Sequence, residues 1–484
     1  MSSSYEVVMG IEVHVELATN SKLFCGCSAK YGADANENVC PACSGMPGLL
    51  PVLNKKAVEL GIKAGLVTNS QIAEKITFDK KNYFYPDLST GYQITQLFSP
   101  ICRNGWVEIE TESGTKKMNL KQIHIEEDAG KLVHMGGSGS SMVDYNRASV
   151  PLIEIVSAYP PEFRSSDEVI AYLKKLQSLL IYAEVSDCKM HEGSMRADIN
   201  ISVRKAGEEK LGTRIEMKNM NSLKAIANAI EYEKERQIEA LETGYEELVQ
   251  ETRRWDEEKN MSFSMRNKED ATDYRYFPNP DIMPVVIGGD WLKKVRDSLP
   301  ELAHQKFARF REQYQLSEYD AKILTENKRL SEIFEEVAKS CGNPKEAANW
   351  LMVELLNLVK NDDKEKEIED IEIDCEKIAK LIKLVLENAI TRPSAKEIFV
   401  KIYRDNINPE EYIRENNLGM ISDNDLLYKM CEEAIEEDPD GVKKYKSGNT
   451  KVFAAFVGNV MRKMKGKANT AIVNGILRDM LERM

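Results

Sequence analysis

Three neighbouring acids, Glu126, Glu127 and Asp128, follow a histidine in the stretch HIEEDAGK at residues 124–131 and run straight into an Ala-Gly turn. Like charges so closely spaced repel and raise one another's pKa. Either they end a strand in water, or a divalent cation neutralises them, since such an ion makes crowded carboxylates favourable. Further donors stand elsewhere: Glu12 and His14 in GIEVHVEL, Asp198 and Asn200 in ADINIS, and Glu216 in RIEMKN. Mg²⁺ beside a nucleotide phosphate keeps a few carboxylates and fills its octahedron with water and phosphate oxygens, so donors drawn from several adjacent strands suit it. Alternating polar residues on a solvated sheet face would look similar.

An ATP site also needs cations at the phosphates, and Lys81, Arg147, Arg196 and Lys218 lie in stretches between these acids. Surface ion pairs are the other use for such residues. The chain holds no GxxxxGK[ST] loop, which excludes a P-loop mechanism. A second metal pattern is Cys25-Gly-Cys27 followed by Cys40-Pro-Ala-Cys43. Two close cysteine pairs on two turns can form a closed tetrahedral cage, the arrangement of a structural Zn²⁺ rather than a catalytic one. Cys102, Cys188, Cys341, Cys375 and Cys431 are scattered and read as small hydrophobes.

The elements that must position these groups follow from periodicity. YEVVMGIEVHVEL alternates at period two, which sets Val7, Met9, Ile11, Val13 and Val15 on one side and Glu6, Glu12, His14 and Glu16 on the other. ADINISVRKAG, GTRIEMKNM and Trp106–Glu110 alternate likewise, and HMGGSGSSM reads as a hairpin tip. Residues 1–290 are therefore expected to form an α+β cradle domain with a mainly antiparallel sheet, ending in the proline- and glycine-rich PNPDIMPVVIGGD. Beyond it, apolar residues recur at helical spacing, giving an all-α helical domain over 291–405 and an all-α tail domain over 406–484. No fixed-period repeat is present.

Its length of 484 residues fits roughly three domains at about 150 residues each. There is no basic-then-apolar leader and no run of about 20 apolar residues, and nine dispersed cysteines fit a reducing compartment, so a cytoplasmic protein with no membrane segment is expected. A net charge of -13 argues against indiscriminate coating of nucleic acid. Against that background the tail from Lys443 onward is strongly basic. Val452, Phe453, Phe456, Val457, Val460 and Met464 recur at helical spacing and must face a core, which leaves Arg462, Lys463, Lys465 and Lys467, with Lys446 upstream, to water or to RNA phosphates.

These stretches together resemble one family, GatB, the B subunits of tRNA-dependent amidotransferases. The similarity runs through GIEVHVEL, the paired cysteines, FDKKNYFYPD, HIEEDAGK, VDYNRASVPLIEIV, GSMRADINISVR, GTRIEMKN and YRYFPNPDIMP to the MRKMKGKA tail, so it covers essentially the whole chain. The resemblance implies a subunit that uses ATP and Mg²⁺ to phosphorylate the side-chain carboxylate of Glu-tRNA(Gln), Asp-tRNA(Asn) or both. Ammonia from glutamine, released by an amidase subunit, GatA, and channelled to the site, then completes the amide, and a small subunit, GatC, wraps the heterotrimer.

By this resemblance Glu12, His14, Glu126 and Glu127 are the expected catalytic residues, and Glu12, His14, Glu127, Asp198, Asn200 and Glu216 the expected Mg²⁺ donors. Lys81, Arg147 and Lys218 would anchor phosphate or substrate, and Cys25, Cys27, Cys40 and Cys43 would hold zinc, which only part of the family carries. His191 in KMHEGS stands where an acid is common in the family and has no assigned role. Two rival readings are a ligase or kinase acting on a free small molecule, which leaves the basic tail unemployed, and a non-catalytic tRNA-binding subunit.

Overall fold

The computed structural model describes residues 4–112, 114–134, 140–267, 273–361, 368–420, 424–464 and 467–484. Its chain divides into two compact units, Met1–Leu302 and Ala303–Met484.

In the first unit the period-two text becomes a nine-stranded sheet. In spatial order its strands are Met261–Asn267, Glu251–Asp256, Ile215–Lys218, Met195–Lys205, Tyr5–Glu16, Pro151–Ser157, Gly114–Glu127, Cys102–Thr111 and Gln71–Ile72. Every pairing is antiparallel except that of 215–218 with 251–256. Along the central strand, Val7, Met9, Ile11, Val13 and Val15 are buried while Glu6, Glu12, His14 and Glu16 face the other way, as alternation requires.

The apolar face is covered by helices. Lys55–Val67, Ser166–Tyr182 and Leu223–Thr243 pack on the sheet or on one another, and each starts at a side-chain cap from Asn54, Ser165 or Ser222. Helix 55–67 lies so close to the sheet that a Cβ on Gly65 would run into Cys102 and Ile72. The helix Gly289–Asp297 joins this unit too: Val295 belongs to its core and Trp291 Nε1 donates to Glu59 at 3.2 Å, so the proline-rich stretch 278–290 lies within the unit. A small sheet, Asp79–Asn82 with Tyr92–Thr95 and Phe277–Pro278, crosses the end of strand 114–127 and walls the polar face.

The second unit is helical and holds two hydrophobic clusters, one built from residues between Phe310 and Ile402 and one from residues between Leu427 and Leu481. Helix Lys328–Cys341 buries Leu330, Phe334, Val337 and Cys341 on one face, the spacing expected of its sequence. In the tail, Phe456, Val460 and Met464 are buried, with Val452, Phe453 and Val457 packed beside them. The five scattered cysteines are buried free thiols. The glycine-rich hairpin expected around HMGGSGSSM has its flanking strands Lys131–His134 and Ser141–Asp144 paired, while its tip at 135–139 lies outside the described residues. Among the described residues no helix is long and apolar enough to cross a membrane.

One buried network pins strand 251–256, the neighbour of the strand that carries Glu216. Glu233, fully buried on helix 223–243, accepts from Arg236 at 2.7 and 3.0 Å and from Gln237 at 2.9 Å, and lies 3.8 Å from Arg253 of strand 251–256. Gln237 in turn accepts from the Val203 amide at 3.0 Å. Removing one partner from such a pair leaves an uncompensated buried charge. Glu233→Ala is expected to cost about 3–5 kcal/mol, read from the urea midpoint of the full chain.

Candidate active site

The polar face of the sheet gathers acids from five adjacent strands. Glu12 stands directly opposite Asp198, and Asn200 opposite Glu216. One step along, Arg196, His14, Glu154 and His124 form an unbroken row across four strands. The result is two candidate cation groups, Glu12 with Asp198 and Glu216, and His14 with Glu126 and Glu154; within each, one ligand atom per residue lies within 4.8 Å of the others. Both open into a cleft of about 1020 Å³ that Lys81, Tyr83 and Tyr274 also line.

The groups are held by neighbours rather than by their own flexibility. Asn200 Nδ2 donates to Glu12 at 3.1 Å, Thr252 Oγ1 to Glu216 at 2.8 Å and Thr95 Oγ1 to Glu126 at 3.1 Å. His124 lies 2.9 Å from Glu154 and 3.5 Å from Glu126, and His14 lies 3.5 and 3.6 Å from the same two carboxylates. The Lys218 ammonium sits on Asp198 and, at 3.2 Å, on Glu216. Lys81 is held over the rings of Tyr83 and Tyr274, 5.5 and 5.0 Å from their centroids.

Electrostatics follow from the crowding. Burial first, then the charges of Glu154, Asp198 and Glu216, push the Glu12 carboxyl above its usual range despite Lys218. For the imidazoles burial works the other way, but Glu154 and Glu126 outweigh it, raising His14 and carrying His124 up to about 10. The histidines reciprocally hold Glu154 and Glu126 low against the effect of burial. The all-oxygen group of Glu12, Asp198 and Glu216 has the donor chemistry of Mg²⁺, and a dication there would relieve the repulsion that lifts Glu12.

Not every expected residue joins this cluster. Glu127 points to the opposite side of its strand, where its carboxylate accepts from the Ile94 amide at 2.9 Å and lines a separate cavity of about 240 Å³ with Cys43, Met46 and Ser149. Desolvation lifts it to about 7. Consecutive residues of a strand face opposite ways, so of the acid pair only Glu126 can reach His14. Asn200, opposite Glu216, orients Glu12 through its Nδ2. Arg147 is committed to the turn after the acids: it donates to the carbonyls of Ala129 and Gly130 at 3.0 and 2.9 Å and lies 3.4 Å from Asp128, which also accepts from Arg196 at 2.7 Å. Those two guanidiniums hold the Asp128 carboxyl low against burial.

Two members were not anticipated from the sequence. Glu154 is the lone acid in the apolar run PLIEIV, and His124 opens HIEEDAGK; an acid inside so apolar a strand was the available signal, but its partner His14 is defined only by strand register.

The four cysteines converge as their spacing predicts, their sulfurs within 4.8 Å of one another and Cys43 Sγ 3.9 Å from Cys40 Sγ. A tetrahedron with Zn–S near 2.3 Å has edges of about 3.8 Å, so the donor set fits that ion. Hydrogen bonding from Cys25, with help from the Lys22 charge, draws the Cys43 thiol down to about 4.

In the tail, tertiary structure redistributes the expected basic surface. Lys463 pairs with Glu437 at 2.8 Å and Glu433 at 3.4 Å, Arg462 donates to Asn459 at 3.2 Å, and Lys467 donates to the Asn417 carbonyl. Lys465 lies outside the described residues. Lys444, Lys446 and Lys451 are exposed with no side-chain partner among the described residues.

Comparison with known proteins bears on both units. Residues 7–293 match the family of the GatB/GatE catalytic domain and residues 332–481 the GatB domain. The B subunit of the aspartyl/glutamyl-tRNA(Asn/Gln) amidotransferase of Lachnoclostridium phytofermentans is 52% identical over 479 residues, 99% of each chain. Proteins of the same name from Agathobacter rectalis and Caldanaerobacter subterraneus subsp. tengcongensis are 52% and 50% identical, over 99% of this chain and 100% of each relative.

Neighbouring charge raises both His14 and Glu12 in the ion-free protein, so a divalent ion competes with protons there. Mn²⁺ affinity is therefore expected to rise with pH, by at most about tenfold per pH unit for each proton released. In a competition titration Asp198→Asn should weaken it and Glu127→Gln should not.

Proposed function

The chain belongs to the GatB family, and on that premise we propose that it is the activating subunit of a glutamine-dependent tRNA amidotransferase, acting on Glu-tRNA(Gln), Asp-tRNA(Asn) or both. The observation that carries this reading is the convergence of Glu12, His14, Glu126, Glu154, Asp198, Glu216 and Lys218 on one face of the sheet, beside a cleft large enough for a nucleotide and an acceptor end.

Ammonia does not displace hydroxide from a carboxylic acid, so the side-chain carboxylate needs a better leaving group. Its oxygen attacks the γ-phosphorus of ATP, the bond to ADP breaks, and an acyl phosphate forms; ammonia then adds to the carbonyl carbon and phosphate departs, leaving the amide. Phosphoryl transfer rests mostly on positioning and on offsetting negative charge. Glu12, Asp198 and Glu216 would hold Mg²⁺, which supplies positive charge to the transferred group.

Around it, Asn200 fixes the Glu12 carboxylate and Thr252 fixes Glu216, so neither must reorganise. Lys218, held between Asp198 and Glu216, is placed to turn its ammonium toward phosphate, and Lys81 projects into the same cleft from an aromatic cradle. Arg147 acts at one remove by fixing the turn that follows the acids. His14 and His124 offset Glu126 and Glu154. The four cysteines would hold a structural zinc ion, which takes no part in the reaction because a filled cage offers no open position. Ammonia would come from an amidase subunit, GatA, with GatC completing the assembly, and the exposed lysines at 444, 446 and 451 are the best-placed described cations for tRNA phosphates.

In the reconstituted heterotrimer, Glu12→Gln and Asp198→Asn are expected to lower ATP-dependent amidation of the misacylated tRNA at least about a hundredfold while tRNA affinity stays at the wild-type level. Unchanged amidation would instead favour a non-catalytic tRNA-binding role. Replacing Lys444, Lys446 and Lys451 together by Gln should weaken tRNA binding and flatten its salt dependence, by up to about one unit of slope for each phosphate that is no longer neutralised.

A further inference from the structure

Lys22 is fully buried. Its ammonium donates to the Tyr145 carbonyl at 3.0 Å and lies 3.5 Å from Cys43 Sγ, and among the described residues no carboxylate pairs with it. A buried ammonium without a counter-charge is costly, and a carbonyl supplies only a dipole. A metal-bound sulfur 3.5 Å away would supply that counter-charge. The need is reciprocal, since four thiolates around one dication leave two negative charges in excess.

We propose that Lys22 is the positioning residue and outer counter-charge of the four-cysteine centre, its ammonium donating to Cys43 and offsetting part of the negative charge of a zinc-bound tetrathiolate. This rests on the reading of that centre as a zinc site. The same ammonium fastens the centre to the segment that follows strand 141–144. Asn36 exchanges hydrogen bonds with Asp144 and Tyr145, at 3.0 and 2.8 Å, and the Asn38 amide donates to Asn146 at 2.8 Å. Arg147, which clamps the Asp128 turn, comes next in that segment. Lys22 thus links the sulfur cage to the backbone that presents Arg147.

The test compares the purified full-length wild type with Lys22→Met, which keeps an unbranched side chain without the terminal ammonium, and Lys22→Arg, which keeps the charge. Zinc content is measured by elemental analysis and zinc release by transfer to a chromogenic chelator. Lys22→Met is expected to release zinc about 10–100-fold faster than the wild type, and Lys22→Arg to restore most of the retention. A packing role predicts the reverse order, because Met fits the space and Arg overfills it. Should Lys22→Met be recovered only as aggregate, Lys22→Gln, which keeps a neutral donor for Tyr145, carries the same comparison. Wild-type release rates in the charge-free variants would overturn the proposal. A wild-type protein that binds no stoichiometric zinc would instead overturn the reading of the centre itself.

Discussion

Carboxylates from separate strands are forced together on one face of a rigid sheet, and the rest of the first unit is arranged around that repulsion. Glu12 and Asp198 stand directly opposite each other, in a position where two like charges are destabilising. The apolar alternate residues, Ile11, Val13, Ile199 and Ile153, fix the strands' facing by burial, so the acids cannot turn away. Hydrophobic burial on one side holds an electrostatically unfavourable constellation on the other.

What makes that constellation tolerable is a set of counter-charges at graded distances. Lys218 lies within it, His14 and His124 each pair with both Glu126 and Glu154, and Arg147 with Arg196 neutralises Asp128 at the strand end. A dication would substitute for part of this protein-borne charge. The four-cysteine centre poses the same problem in inverted form: there an ammonium, Lys22, is buried against the sulfur of Cys43. In both places ion binding and the protonation of side chains are linked, since ligands must be deprotonated before they can serve.

How much of this was legible in the sequence depends on the range of the interaction. The facing of Glu12 and His14 follows from period-two alternation alone, and the cysteine cage from two short spacings. Glu126 and Glu127 show the limit: both are adjacent acids in one motif, yet one faces His14 and the other the Ile94 amide, and nothing in HIEEDAGK says which of the two the pleat turns toward the cleft. Glu154 was missed because its meaning lies in being opposite both His14 and His124, a matter of register between strands more than a hundred residues apart for His14. Lys463 is a similar case in the helical unit, since the acids that pair with it come from an earlier helix.

The sequence by itself determined the fold class, the faces of the strands, the cysteine cage and, through long shared motifs, the family. These are local properties, set by periodicity and by spacing over a few residues. Only the tertiary structure decided which acids share an ion, that Arg147 is spent on backbone carbonyls, that Lys22 is buried against Cys43, and which of the described tail lysines stay exposed. Those outcomes depend on strand register and helix packing, where groups far apart in the chain meet within a few ångströms, and pairing at that range is fixed by the burial of the whole core rather than by any one stretch of it.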